Sequence, residues 1–297
     1  MRKPLRQLGH LLFLALACSL QPATHCVAAP AQHHTLWSIR GKTNTVYLLG
    51  SVHFLKPTER LPAAVDSAYR DAEALVMEID MDDLDADAMR ATTLELGMLP
   101  ADRTLEQELG AATYAKVREE GERLGVEPQV LNRFRPWLAA MTLAQLQLVK
   151  MGLDPESGVE QRLTTQAVRD RKPITGLETV NQQIEMLAKL PEVQQREFLM
   201  YSVEETERAT QEIDELITAW RIGDTQGLAH VLAEGFERYP DLYRPLTVDR
   251  NKRWIPSIEA LLDDKEDYLV VVGTLHLVGR DSVIELLERS GHKPTQH

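Results

Sequence analysis

Two segments of this chain share one plan: an apolar run, a glycine, two further residues, then a histidine. The first is Val46-Tyr47-Leu48-Leu49-Gly50-Ser51-Val52-His53, the second Leu269-Val270-Val271-Val272-Gly273-Thr274-Leu275-His276. Short apolar runs rich in β-branched residues read as buried strands. Glycine at the carboxyl end, here Gly50 and Gly273, allows a sharp turn or a close approach by another group. Open α/β sheets bind their ligands at the carboxyl ends of strands, so both histidines are placed for chemistry. Spacing alone carries little weight, because with glycine at about 7% of residues nine histidines give roughly half a match by chance. A third match, Gly227-Leu228-Ala229-His230, lies within Asp224 to Phe236, whose pattern is helical, and is coincidence. The strand in front of the other two is the informative part.

The amino terminus reads as an export signal. Arg2, Lys3 and Arg6 precede a short apolar core, Leu8 to Leu20, and small residues around Ala28 to Ala31 offer a cleavage site, Ala29-Pro30-Ala31 being one fit. A membrane span needs about 20 apolar residues, and this core is shorter. Lipidation of Cys18 is the alternative, but Ala15-Leu16-Ala17 makes a poor lipobox. The expected organisation is a signal peptide over residues 1–31 and a single domain over 32–297, periplasmic or secreted, with no integral membrane span in the mature chain.

Cleavage removes Cys18 and Cys26, the only two cysteines. A cysteine nucleophile and a cysteine-zinc site are then excluded, and any metal must be held by histidine and carboxylate. About 265 residues can bury a sizeable core without disulfides. The mature chain keeps 30 basic against 45 acidic residues, a net charge of −15, which argues against nucleic acid as a partner.

Leu36 to Arg40 and Thr45 to Leu49 read as paired strands, Pro62 to Ala72 as a helix and Ala74 to Asp80 as a further strand. Glu78 interrupts that strand, and from this strand alone a polar edge or solvated face is the favoured account of it over a site. Asp80, Asp82, Asp83, Asp85 and Asp87 lack the glycine and terminal glutamate of an EF-hand loop and read as a solvated loop and helix start. Residues 101–237 are mostly helical by pattern, including Ala111 to Leu124, Pro136 to Met151 and Glu192 to Arg221. Within them Lys172 to Thr179 reads as a strand, between helices Val159 to Arg169 and Asn181 to Leu190, that joins the main sheet. Tyr243 to Leu262 reads as a helix kinked or split at Pro256, Asp281 to Ser290 as the last helix, and Gly291 to His297 as a loose tail. The fold class is α/β: a mixed central sheet bearing both strand-Gly-x-x-His motifs, with a large helical insertion, about 101–237, between its two halves.

Gly50-Ser51-Val52-His53, Met77-Glu78-Ile79-Asp80, Gly176-Leu177-Glu178-Thr179, Arg250-Asn251 and Gly273-Thr274-Leu275-His276-Leu277-Val278-Gly279 occur in that order. The set resembles the TraB/GumN family, which includes the Tiki metalloproteases and is distantly related to erythromycin esterases and ChaN-like proteins. The resemblance runs from about Leu36 to Gly291, and the export signal resembles the bacterial GumN-like branch. It implies a divalent-metal-dependent hydrolase, in the Tiki manner a protease using manganese or cobalt, with zinc the alternative, acting on a peptide or protein. It implies that His53 and His276 are paired site histidines and metal ligands, with Glu78 the carboxylate beside them and all three catalytic. Glu178, Arg250 and Asn251 fall on family positions that orient a carboxylate or hold substrate. At Gly158-Val159-Glu160 many relatives carry aspartate; the longer side chain shifts a ligand by about one carbon–carbon bond, which leaves Glu160 outside the expected ligand set.

Two imidazoles and a carboxylate suit a borderline or hard divalent ion. Such an ion lowers the pKa of bound water and polarises a carbonyl. A metal-free version uses a histidine as general base, oriented by Glu78. Two further readings stand beside these: a non-catalytic peptide-binding or regulatory protein, and an esterase-like hydrolase without metal. The plainest alternative is that both histidines only cap strands through hydrogen bonds.

Overall fold

The two strands that carry the glycine-histidine motifs lie side by side. The structure, a computed structural model, describes residues 33–204, 209–237 and 239–297; the expected signal peptide, residues 1–31, lies outside them. Strands β1 (Leu36–Arg40), β2 (Thr45–Ser51), β3 (Ala74–Met77), β4 (Ile174–Gly176), β5 (Tyr268–Gly273) and β6 (Thr295–Gln296) form one sheet in the order β4-β3-β5-β2-β1-β6. The four strands β4, β3, β5 and β2 run parallel, whereas β1 and β6 add antiparallel edges. Val46 pairs with Tyr268 and the register continues to Ser51 opposite Gly273, so β2 and β5 end level with each other.

Successive strand residues point to opposite faces. Leu269, Val270, Val271 and Val272 are all fully buried, so both faces of the sheet are covered. That is the rule for parallel strands, and it explains why β5 reads as a continuous apolar run.

Helix α1 (Ala63–Asp71) links β2 to β3. Then follow α2 (Ala86–Gly97), α3 (Leu105–Leu109), α4 (Ala111–Leu124), α5 (Pro128–Leu131), α6 (Pro136–Lys150) and α7 (Val159–Asp170), which leads into β4. Helices α8 (Val180–Ala188), α9 (Glu192–Glu204), α10 (Ala209–Ile222), α11 (Thr225–Glu237), α12 (Pro240–Tyr243) and α13 (Asp249–Leu261) precede β5, and α14 (Val283–Arg289) precedes β6. Local chemistry sets many of these starts. Asp85 caps α2 by accepting from the backbone N–H groups of Asp87 and Ala88, so the acidic run is a loop and helix start as its composition suggests. Thr179 and Gln182 close a capping box on α8.

Apolar side chains collect in two clusters. The larger surrounds the sheet and takes in Leu163 of α7, Trp220 of α10 and Leu228 of α11. The smaller joins Leu105, Val117, Leu131, Leu143 and Leu199 from α3, α4, α5, α6 and α9. Residues 101–237 thus feed both clusters rather than one.

Four local expectations change. The third strand stops at Met77, so Glu78 lies just beyond the ladder and not within it. The span Glu192 to Arg221, read as one helix, is described as α9 and α10, with 205–208 outside the described residues. Pro256 sits inside α13 without splitting it; the irregular turn comes earlier, a π-helical turn over Arg244–Val248. The tail is not loose, because Gln296 pairs with Trp37 and His297 N–H donates to the Leu36 carbonyl at 2.9 Å. Those bonds occupy backbone groups that β1 would otherwise leave open at the sheet edge.

Candidate functional site

Each parallel strand delivers one charged or titratable residue just past its carboxyl end. In spatial order these are Glu178 after β4, Glu78 after β3, His276 after β5 and His53 after β2. The ladder is extended there by backbone bonds, Leu177 N–H to Met77 O at 2.8 Å and Glu178 N–H to Glu78 O at 2.9 Å. Thr274 Oγ1 donates to the Ser51 carbonyl at 2.9 Å and ties the two motif turns together.

A single arginine organises the middle of this row. The first turns of α13 bring in Arg250, Asn251 and, one turn on, Trp254, all buried. Arg250 Nε–H donates to Glu178 Oε1 at 2.9 Å, and its two terminal nitrogens reach Glu178 Oε1, Glu78 Oε2 at 2.5 Å, His276 Nε2 at 3.0 Å and the Leu246 carbonyl at 3.4 Å. A guanidinium has five N–H groups, and five contacts use them all. Its Cζ lies over the Trp254 ring, 4.8 Å from the ring centroid. Gln183 Nε2 adds bonds to Glu178 Oε1 at 2.9 Å and Glu78 Oε2 at 3.2 Å, while Gly273 N–H donates to Glu78 Oε1 at 2.8 Å.

These partners fix the tautomer of His276. Arginine can only donate, so Nε2 carries the lone pair and Nδ1 carries the proton, which goes to Asn251 Oδ1 at 2.6 Å. Asn251 is itself oriented by donating through Nδ2 to the Asp281 carbonyl at 2.9 Å. Burial pushes the His276 pKa down to about 4, Arg250 adding to the effect, and the ring is neutral at physiological pH. Burial alone would raise the Glu78 pKa, but nearby positive charge outweighs it and holds the group at about 2. Above pH 4 His276 loses its charge, so Arg250, together with the protonated His53, keeps Glu78 ionised at neutral pH.

His53 sits at the mouth, its side chain 63% exposed. Its Nδ1 is 2.7 Å from Glu160 Oε1, which also accepts from Ser51 Oγ. Glu160 belongs to the first turn of α7, where backbone N–H groups favour a carboxylate. Gly158 allows that docking: a Cβ there would meet the His53 carbonyl oxygen at 2.1 Å. Glu160 raises the His53 pKa to about 9, with Glu78 adding to the effect and Arg250 opposing it.

The remaining His53 nitrogen faces the centre of the site. A carbon placed where a side chain would leave Gly273 would sit 3.3 Å from Glu78 Oε1, 3.6 Å from His276 Cδ2 and 3.8 Å from His53 Nε2. The two imidazoles therefore approach within about 7.5 Å, although 223 residues separate them in sequence.

The donors as placed do not fit a resident divalent ion. The polar atoms nearest the space over Gly273 are Glu78 Oε1 and His53 Nε2, whereas the nearest His276 atom is a carbon, Cδ2, and both His276 nitrogens are engaged. Catalytic zinc sites keep three protein ligands at about 2.0–2.3 Å. Among the described residues, no group of three or more histidine, cysteine, aspartate or glutamate side chains is placed to hold an ion.

The structure gathers His53, Glu78, His276, Glu178, Arg250 and Asn251 at one end of the sheet. Asn251 orients a histidine, and Arg250 orients both carboxylates and the His276 ring. It also brings in Glu160, set aside from the sequence, and Ser51, Gln183 and Trp254, which sequence reasoning did not single out. Trp254 had a readable signal, four residues after Arg250 on one helix face. Gln183 had none.

No solved structure matches this chain. It is 26% identical over 242 residues to "Uncharacterized protein YbaP" of Escherichia coli (strain K12), covering 81% of this chain and 87% of that one. A protein of Treponema pallidum (strain Nichols), named "Uncharacterized protein", is 29% identical over 186 residues, 59% of this chain and 53% of that one. The family model for TraB/PrgY/gumN matches residues 35–296, a span that holds every strand and every site residue described above, and the chain belongs to the TraB/PrgY/gumN family.

Proposed function

We propose that this protein is an exported hydrolase that cleaves a peptide or related acyl bond, with the reacting atoms over Gly273 and His53 as the proton-transfer group. The observation that carries this reading is the convergence of His53 Nε2 and Glu78 Oε1 on one point, 3.8 and 3.3 Å away. Glu160 holds the proton on Nδ1, which leaves Nε2 to take a proton from water as the water oxygen bonds to the carbonyl carbon. The imidazolium so formed returns that proton to the leaving nitrogen or oxygen as the acyl bond breaks. Glu78, anionic and fixed by Arg250 and Gly273 N–H, favours the positive charge on His53.

The family likeness makes a metal-activated water, with manganese or cobalt as the ion, the alternative to this His53-activated water. A peptide-binding protein without turnover is the competing class.

The test is turnover of peptide and ester substrates by the purified exported protein, with chelator and with added Mn²⁺ or Co²⁺. General acid–base catalysis contributes about 10²–10⁴-fold, so His53→Ala should lower turnover by at least about 100-fold. His230→Ala, which removes an exposed α11 side chain beside Glu234, should leave it unchanged. Peptide bound but never cleaved, or full turnover by His53→Ala, would reject the reading. Mass spectrometry of the native protein tests export: the expected chain begins between Ala29 and Gln32, and one beginning at Met1 would reject that part.

A further inference from the structure

The site already contains a cation. Arg250 lies where the negative charge of Glu78 and Glu178 and the Nε2 lone pair of His276 meet, and it spends all five N–H groups on that task. A guanidinium does not deprotonate in proteins, so its charge is permanent. Trp254 covers its face, Asn251 locks His276 in the tautomer that accepts from it, and the π-helical turn before α13 supplies the Leu246 carbonyl as its fifth partner. A divalent ion ligated by His276 Nε2 and Glu78 Oε2 would need the two atoms that this guanidinium holds. It would also stand beside a fixed positive charge in a poorly solvated place, where like charges repel strongly.

We propose that Arg250 is the resident cation of this site and excludes a divalent metal ion from the Glu78–His276 pair, so that the family's expected metal centre is closed in this chain while Arg250 is seated. The inference concerns what occupies the site and not whether His53 transfers a proton. It can therefore fail while the hydrolase reading survives, and the reverse also holds.

The experiment titrates Co²⁺ into chelator-treated, purified wild-type protein and into Arg250→Met. Bound equivalents, the visible absorption of Co²⁺ and the ring ¹⁵N signals of His276 are followed. Wild type should bind no equivalent that perturbs His276, whose Nε2 should keep the signature of a neutral hydrogen-bond acceptor. Arg250→Met frees two carboxylates and a lone pair, and it should take up one equivalent at least about tenfold more tightly than wild type. Adding His276→Asn to that variant should abolish the uptake. One equivalent bound by wild type through His276 would overturn the proposal, and that arm needs no variant to fold. A folded Arg250→Met that binds no ion would also overturn it, because the arginine would then not be what excludes the metal. If Arg250→Met does not fold, Arg250→Lys replaces it. A single ammonium keeps the charge but cannot reach both carboxylates and the imidazole at once, so weaker uptake than for an open site, but above wild type, is expected; none would count against the proposal.

Discussion

The proton on His53 Nδ1 is held by Glu160, and that carboxylate is also the main reason the ring's pKa stands near 9. At pH 7 the neutral ring, the form that accepts a proton from water, is a minor species. It grows about tenfold per pH unit until the pKa is reached, so hydrolysis should rise with pH and level off near 9. Glu160→Gln keeps a hydrogen-bonding side chain of the same size but removes the charge. The rising limb of kcat/KM should then shift by up to about 2 pH units towards the ordinary histidine value. A limb that stays in place would show that Glu160 does not control His53. His276 works in the opposite sense. Its folded pKa of about 4 lies below the ordinary value of 6.5, so its neutral form is what the fold requires. The stability it contributes is complete above pH 6.5 and is lost as pH falls from 6.5 towards 4, by about 3 kcal/mol. Denaturant unfolding across that window should show the loss, and His276→Gln should flatten it.

Among the elements, α7, α8 and α13 bring the site its helical residues, and α7 and α13 each rely on a specific contact. The start of α7 is held against the turn after β2 by Val159 N–H donating to the Val52 carbonyl at 3.0 Å. Gly158 makes this possible, since any Cβ there collides with backbone of His53 rather than with a movable side chain. Gly158→Ala should therefore cost about 1–3 kcal/mol and push Glu160 away from His53. Unfolding curves read the first effect and the pH–rate profile the second. An alanine variant with wild-type stability and an unchanged profile would refute the close-approach argument. In α13, residues 250, 251 and 254 lie on the face turned to the sheet end, one helical turn serving both histidine orientation and carboxylate neutralisation.

In the molecule as a whole, the sheet cluster supports the site and the second cluster stands apart from it. Leu143 of α6 is buried in that second cluster, which also takes residues of α3, α4, α5 and α9. Leu143→Ala should lower stability by about 2–5 kcal/mol through lost burial and a cavity. Turnover per folded molecule should not change, because no site residue belongs to that cluster. Activity lost in proportion to something other than unfolding would instead show that the second cluster positions the site. Among the described residues no helix is long and apolar enough to cross a membrane.

Strand positions, most helix spans and the two histidine motifs follow from local pattern, because periodic burial and capping chemistry act within a few residues of chain. Leu269 to Val272 announce a strand covered on both faces, and Asp85 announces a helix start, without knowledge of what packs on them. The site row is another matter. Sequence could place His53 and His276 at strand ends, but that β5 inserts between β2 and β3 depends on strand order, which pairs residues 222 and 194 positions apart. That Glu78 sits past its strand, that Glu160 rather than Glu78 holds His53, and that Arg250 claims the lone pair of His276 are likewise set by the assembled neighbourhood. Local sequence fixes which backbone a segment adopts. Charge pairing and tautomer are fixed by which groups are left facing one another once water has been removed.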